Sequence, residues 1–439
     1  MAVVMVLVIA VLALRGISKP FFGLLALLVV YIVQPGELYP SLAPLHLERT
    51  LAIFVLVSFF GHGNRLRFPQ VTRWFLTFYG AMILAIPLAF WPGNSLAACV
   101  AFGEIVVFHL LTVSLLTSED RIRKYIVLTV ALMGWQAGSS MLLYMEGVRT
   151  FAMGVERAGG ITSSGGDANT LGITLVTAMP LEILLMTKGN TKKIRLLGLA
   201  VFLVSLCTIV STGSRTAFFT FMLCVSLLVL ADWRKRLKFL PILVVAAPLL
   251  WLIIPQQYKA RYETVEHLAD DDSYQNRVLS WEGGIQMFLH NPLTGVGPDN
   301  YTDANGEKYW PGRPRHFLNA HSLFFKLIAE LGIVGFIAFV GYLLSLFKLN
   351  RHVLRERKDR TNDTVVQRFP LYCQVCLLLL LFTGYSAHNL YRSTWFVLGS
   401  ISASIGALKQ EDGVVVVAPK TAKRLVGAWI PSATNEHAS

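Results

Sequence analysis

The sequence predicts an all-α polytopic membrane protein, because 54% of its residues are hydrophobic, only 15% are charged, and the apolar ones fall in long blocks. A soluble chain of 439 residues needs far more charge at its surface. Tyr125–Leu142, Leu196–Val210, Phe239–Ile254 and Leu331–Leu346 hold almost no ionisable residue. A helix needs about 20 mostly apolar residues to cross the hydrocarbon core of a bilayer.

In chain order, candidate spans cover 3–14, 20–34, 49–61, 72–91, 96–116, 125–146, 168–187, 195–211, 216–231, 238–255, 321–347, 370–388 and 393–408. The first two are short enough to form a hairpin or tilted half-spans, so the count is about 12 or 13. The loops between them alternate in character. One set carries Arg15/Lys19, Arg65/Arg67/Arg73, Arg121/Arg123/Lys124, Lys192/Lys193/Arg195, Arg234/Lys235/Arg236/Lys238 and the segment Lys348–Arg368. The other set is Pro35–His46, Pro92–Ser95, Val148–Asn169, Ser211–Ser214, Gln256–Ala320 and Asn389–Arg392.

Membrane insertion retains basic loops on the cytoplasmic side, so the second set faces outward and the tail from Lys409 faces the cytoplasm. This placement accounts for the net charge of +13 and excludes nucleic acid as a partner. All five cysteines lie in apolar runs, and Cys373-x-x-Cys376 has no second pair to complete a metal site. The loop 256–320 is too long to be structureless, and short helices are expected in it, one near Val278–Leu289.

Basic residues on the outward side are few: Arg149, Arg157, Arg215, Lys259, Arg261, Arg277, Lys308, Arg313, Arg315 and Arg392. Arg215 sits in Ser211-Thr212-Gly213-Ser214-Arg215-Thr216, a tight turn followed by a helix start. Backbone N–H groups, a positive dipole end and a forked guanidinium suit a phosphate, the alternative being an Arg that snorkels to the interface. Arg277, in Gln275–Trp281, is either a ligand-binding cation or a surface group paired with Asp271 or Asp272. His321 opens a span after the long loop. As a neutral imidazole it suits accepting a hydroxyl proton, or it is a structural hydrogen-bonder.

His388-Asn389 is a weaker competitor for the same role, and Asp167 or Asn169 is a candidate helix cap. Asp270–Asp272 is the nearest approach to an acidic metal cluster, and no metal site is assigned to it. Glu104, His109 and Glu182 lie inside apolar spans, where each either lines a cavity or is neutral and hydrogen-bonded. The turns of Asn291–Tyr301 lack the Gly-Lys-Ser/Thr ending of a nucleotide-phosphate loop.

Ser211–Thr216, Arg277…Trp281, Asn291-Pro292-Leu293-Thr294-Gly295-Val296-Gly297-Pro298 and Ala320-His321-Ser322…Glu330-Leu331-Gly332-Ile333-Val334-Gly335 together resemble the O-antigen ligase and O-antigen polymerase family. That family includes O-glycosylation ligases. The resemblance runs from about Thr170 to Gly335 and departs at Ser322, where the family often has Asn.

The resemblance implies a GT-C-like, metal-independent, inverting glycosyltransferase of the bacterial inner membrane, needing no cofactor. Its donor would be a glycan on undecaprenyl diphosphate and its acceptor lipid A–core, met on the periplasmic face in lipopolysaccharide biosynthesis. Arg215 and Arg277 would hold the diphosphate, with Arg261 and Arg157 as second-rank candidates, and His321 would orient or deprotonate the acceptor hydroxyl. The chain then divides into N-terminal transmembrane helices over 1–167 and a ligase-like core over 168–347 with a periplasmic loop over 256–320. C-terminal transmembrane helices over 348–408 and a cytoplasmic tail over 409–439 complete it. A polysaccharide polymerase or a protein O-oligosaccharyltransferase would use the same donor. A polysaccharide transporter or flippase would spread ionisable residues through the spans and carry a repeat, whereas this chain gathers its candidates at one face.

Overall fold

The apolar blocks fold as helices, and the chain is 79% helical with a single two-stranded hairpin among the described residues. The structure is a computed structural model that describes residues 2–152, 155–162, 166–231, 272–312, 314–356, 364–387 and 389–416. Helices α1 (Ala2–Ser18), α2 (Pro20–Val33), α3 (Pro35–Leu38), α4 (Leu47–Gly61) and α5 (Gln70–Ala85) come first. Next are α6 (Pro92–Leu115), α7 (Glu119–Met145), α8 (Ala168–Leu185), α9 (Lys192–Thr212) and α10 (Arg215–Ala231). Then follow α11 (Asp272–His290), α12 (Tyr301–Ala304), α13 (Leu323–Arg355), α14 (Val365–Gly384) and α15 (Ser393–Val416).

Eight described helices are long and apolar enough to cross a membrane, and three shorter apolar ones accompany them. The protein is therefore an all-α polytopic membrane protein. The expected span 238–255 lies outside the described residues, and the span expected to end at 347 continues as helix to Arg355. The loop helix expected near 278–289 is α11.

Local chemistry sets the helix starts. Pro occupies the first turn of α2 and α6, where its missing N–H costs nothing. Ser118, Asp167, Thr191 and Thr364 cap α7, α8, α9 and α14 through their side-chain oxygens. Small residues let the helices close up. Gly172 of α8 faces Ala217 of α10, and Gly134 of α7 faces Val201 of α9; a Cβ at either glycine would lie under 3.0 Å from its neighbour. Leu7, Val57, Leu142, Leu196, Leu230 and Ile337 point outward, as a lipid-facing surface requires.

One interruption matters for the site. Helix α13 breaks at Gly332 (φ 57°, ψ −156°), which takes nearby backbone groups out of the helical ladder. The motif Asn291–Pro298 takes them up. Val296 and Gly297 donate to the carbonyls of Ala329 and Glu330 at 2.8 and 2.9 Å, and Ile333 and Val334 donate to those of Pro292 and Leu293 at 2.8 and 3.2 Å. Broken helical backbone is tolerated beside a membrane only where protein re-satisfies it. The buried Glu330 carboxylate strengthens the joint by accepting from the Tyr391 hydroxyl (2.6 Å) and the Tyr301 amide (3.2 Å), with Lys326 3.5 Å away. Two motifs far apart in sequence are thus one structural unit that docks α11 onto the bundle.

Candidate functional site

A cavity of about 490 Å³ opens where the ends of α8, α10, α11, α13 and α14 meet. Asp167, Asn169, Thr170 and Ile173 line it from the start of α8, Thr216 from the start of α10, and Asn276 and Arg277 from α11. Leu318 and His321 line it from the segment before α13, and Ser386, Ala387 and Arg392 from the turn between α14 and α15. Every wall comes from the basic-poor loop set or a helix end beside it.

His321 adopts a left-handed backbone conformation (φ 45°), uncommon for a residue with a side chain and a recurrent feature of functional sites. Its segment is fixed from outside. The Trp281 indole N–H donates to the Ala320 carbonyl at 2.8 Å, the Ser280 hydroxyl to the Asn319 carbonyl at 3.1 Å, and Asn305 Nδ2 to the Leu318 carbonyl at 3.1 Å. Trp281 is itself stacked on Phe325, with ring centroids 5.1 Å apart. Burial, with the nearby Arg277 charge second, lowers the His321 pKa below the usual 6.5. The imidazole is therefore neutral at pH 7, the form that accepts a proton.

Asp167 is the carboxylate on the same wall, and its chemistry differs. Burial alone would raise its pKa, but the Thr170 hydroxyl and the amides of Thr170 and Asn169, with Arg392 beyond, hold it below the usual carboxylate range. Its Oδ1 accepts from those amides at 3.0 and 2.8 Å. Asp167 is a cap and a fixed negative charge, a poor base beside His321.

Arg277 and Arg392 supply guanidinium groups to the cavity from two different elements. Arg392 Nη1 donates to Thr174 Oγ1 at 2.8 Å, and Thr216 and Ser386 are joined hydroxyl to hydroxyl at 3.3 Å. Arg215 is the half-buried first residue of α10; its neighbour Thr216 lines the cavity and Arg215 itself does not. Arg157 lies behind the wall, 3% exposed, donating to the Thr212 carbonyl (2.6 Å) and to Asn169 Oδ1 (2.7 Å).

Arg261, Lys259, Arg313, His388, Asp270 and Asp271 lie outside the described residues. Arg149 pairs with Glu156, Arg315 binds the Glu307 carbonyl, and Lys308 lies over Tyr309, all away from the cavity. Glu104, His109 and Glu182 do not line it either. They bond to Arg49, to Thr72 and the Phe396 carbonyl, and to Ser205.

In the sequence alone Arg392 is one of the outward basic residues with no assigned role, and Asp167 is, with Asn169, a candidate cap. The signal available for Arg392 was its charge on a side that insertion disfavours for basic residues. Thr216, Ser386 and Asn276 carried no signal of their own.

Residues 200–340 match the family model described as O-antigen ligase, the family that the motifs of this segment resemble. No curated protein matches the chain. The matched segment contains Thr216, Arg277, Leu318 and His321, whereas the α8 wall and the Ser386–Arg392 wall lie beyond it.

Proposed function

From the match to the O-antigen ligase family over 200–340, we propose that this protein is an inverting membrane glycosyltransferase. It moves a glycan from undecaprenyl diphosphate onto lipid A–core, on the periplasmic face of the bacterial inner membrane. The observation that carries the reading is that Arg277 and His321 line one cavity on the basic-poor side of the helical bundle.

The chemistry follows from those two groups. The acceptor hydroxyl attacks the anomeric carbon from the face opposite the diphosphate, and His321 takes its proton. The bond from the anomeric carbon to the phosphate oxygen breaks, and its electron pair leaves with the diphosphate. That leaving group needs stabilisation of its charge more than a proton, and Arg277 supplies it, with Arg215, next in sequence to the cavity-lining Thr216, as the second cation. A guanidinium suits the task because its fork matches two phosphate oxygens at once. Arg157 supports the site by fixing Asn169 in the wall, and Arg261 remains assigned to the diphosphate by resemblance. No step calls for a metal ion or a cofactor.

The test is transfer by the purified protein, with a defined glycan on undecaprenyl diphosphate, lipid A–core as acceptor and EDTA present. A product of glycan plus lipid A–core mass is expected, undiminished by EDTA. Elongated donor without loaded lipid A–core would instead make the protein a polymerase, and a glycosylated Ser/Thr peptide an oligosaccharyltransferase. Glycan-lipid crossing vesicles without bond transfer would sink the enzyme reading.

A further inference from the structure

The cavity has a second cationic wall that the proposed chemistry leaves unused. Arg392 lies in the turn between α14 and α15, beyond the segment that matches the ligase domain. It lines the same cavity as Arg277 and His321 but comes from a different element. Among the described residues its guanidinium makes one hydrogen bond, Nη1 to Thr174 Oγ1 at 2.8 Å, and no ion pair within 4.0 Å. Thr174 does not neutralise it, because a hydroxyl carries no charge; that hydroxyl donates its own proton to the Thr170 carbonyl at 2.8 Å and so accepts from Arg392.

Among the described residues the opposite charge that acts on Arg392 is Asp167, whose Oδ1 lies on the Asn169 and Thr170 amides and which acts only across a distance. A guanidinium presents five donors in a rigid plane, and one bond leaves most of that capacity unspent. A half-buried cation without a contacting counter-ion is costly unless a ligand supplies the anion. Thr216 and Ser386, joined at 3.3 Å, add hydroxyls to the same cavity.

We infer that Arg392 binds substrate directly, its guanidinium gripping a phosphate oxygen of the donor diphosphate that Arg277 meets from α11. The inference rests on the lipid-diphosphate reading above and adds to it. A diphosphate carries two separately charged phosphates, and two guanidinium groups from two walls hold one each. Thr174 orients the fork through Nη1, and Asp167 limits the positive charge of the cavity. The alternative source of an oxyanion is an acidic group on the acceptor, and the kinetic arms below separate the two.

The experiment uses full-length protein in lipid nanodiscs, with Arg392→Gln and Arg392→Lys variants whose thermal melting is checked against the parent. The binding probe is undecaprenyl diphosphate without glycan. Arg392→Gln is expected to weaken probe binding and raise the donor KM by about tenfold or more, the usual loss for a charge-assisted hydrogen bond, with the acceptor KM unchanged. Arg392→Lys falls between, since a point charge keeps attraction and loses the fork.

Unchanged probe binding in both variants overturns the inference, as does a rise confined to the acceptor KM. Recovery of the parental donor KM in Asp167→Asn/Arg392→Gln also overturns it, because Arg392 would then serve only to balance Asp167. If the parent protein fails to bind the probe, the lipid-diphosphate reading itself falls. If parent and Arg392→Gln bind it equally, only the role of Arg392 falls.

Discussion

The indole Nε1–H of Trp281 donates to the carbonyl of Ala320 at 2.8 Å, so a residue of α11 fixes the peptide group immediately before His321. Arg277 lies one helical turn earlier on the same helix, so α11 places both a cation and the support of the imidazole.

Replacing Trp281 with Phe retains an aromatic ring for Phe325 and removes the donor to Ala320. The unpaired carbonyl costs about 1–3 kcal/mol, and the left-handed backbone at His321 loses one of its restraints. We expect kcat for glycan transfer to fall while the donor KM stays near the parental value. A rise in donor KM at constant kcat would show that Trp281 shapes binding instead of holding His321.

The pH dependence follows from the depressed pKa of His321. Its proton-accepting form persists below the usual 6.5, so the acid limb of the rate profile lies below that value. Arg277→Gln removes one of the charges that depress it and shifts the limb upward, which a kcat profile at saturating donor will read. Stability carries the same sign. The unfolded chain binds a proton near pH 6.5 that the folded site refuses, so stability falls as pH drops from there towards the folded pKa. A His321→Ala variant with the parental profile would remove the base assignment.

Gly332→Ala tests the joint between the two motifs. The backbone there has φ 57° and ψ −156°, and an added Cβ would lie 2.5 Å from the Leu293 carbonyl carbon. Conformational strain of about 1–3 kcal/mol adds to that clash. A lower melting temperature in detergent, with loss of transfer, is expected. Parental melting would mean that α13 and the 291–298 turn do not dock in this way.

Ser322 is the position where the chain departs from the family pattern it resembles, and its hydroxyl is buried without a hydrogen bond among the described residues. A buried polar group with no partner costs about 1–3 kcal/mol, so Ser322→Ala is expected to be neutral or slightly stabilising, with transfer retained. A marked loss of transfer would show that the hydroxyl meets the substrate.

Helices were legible in the sequence because each is written locally. Apolar blocks of spanning length, a proline or a capping oxygen at the start, and basic loops at alternate ends declare themselves without reference to the rest of the chain. The candidates Arg277 and His321 were legible for a related reason, since they stand in short motifs at helix ends.

Long-range packing decided the rest. Nothing near Arg157 in sequence marks it as a strut between the Thr212 carbonyl and Asn169. Nothing near Arg392 says that it shares a cavity with His321, or near Glu330 that it receives the Tyr391 hydroxyl. Periodicity and charge report which face of a helix is apolar and which end is wet. The identity of the partner across the bundle depends on how whole helices pack, which no single segment encodes.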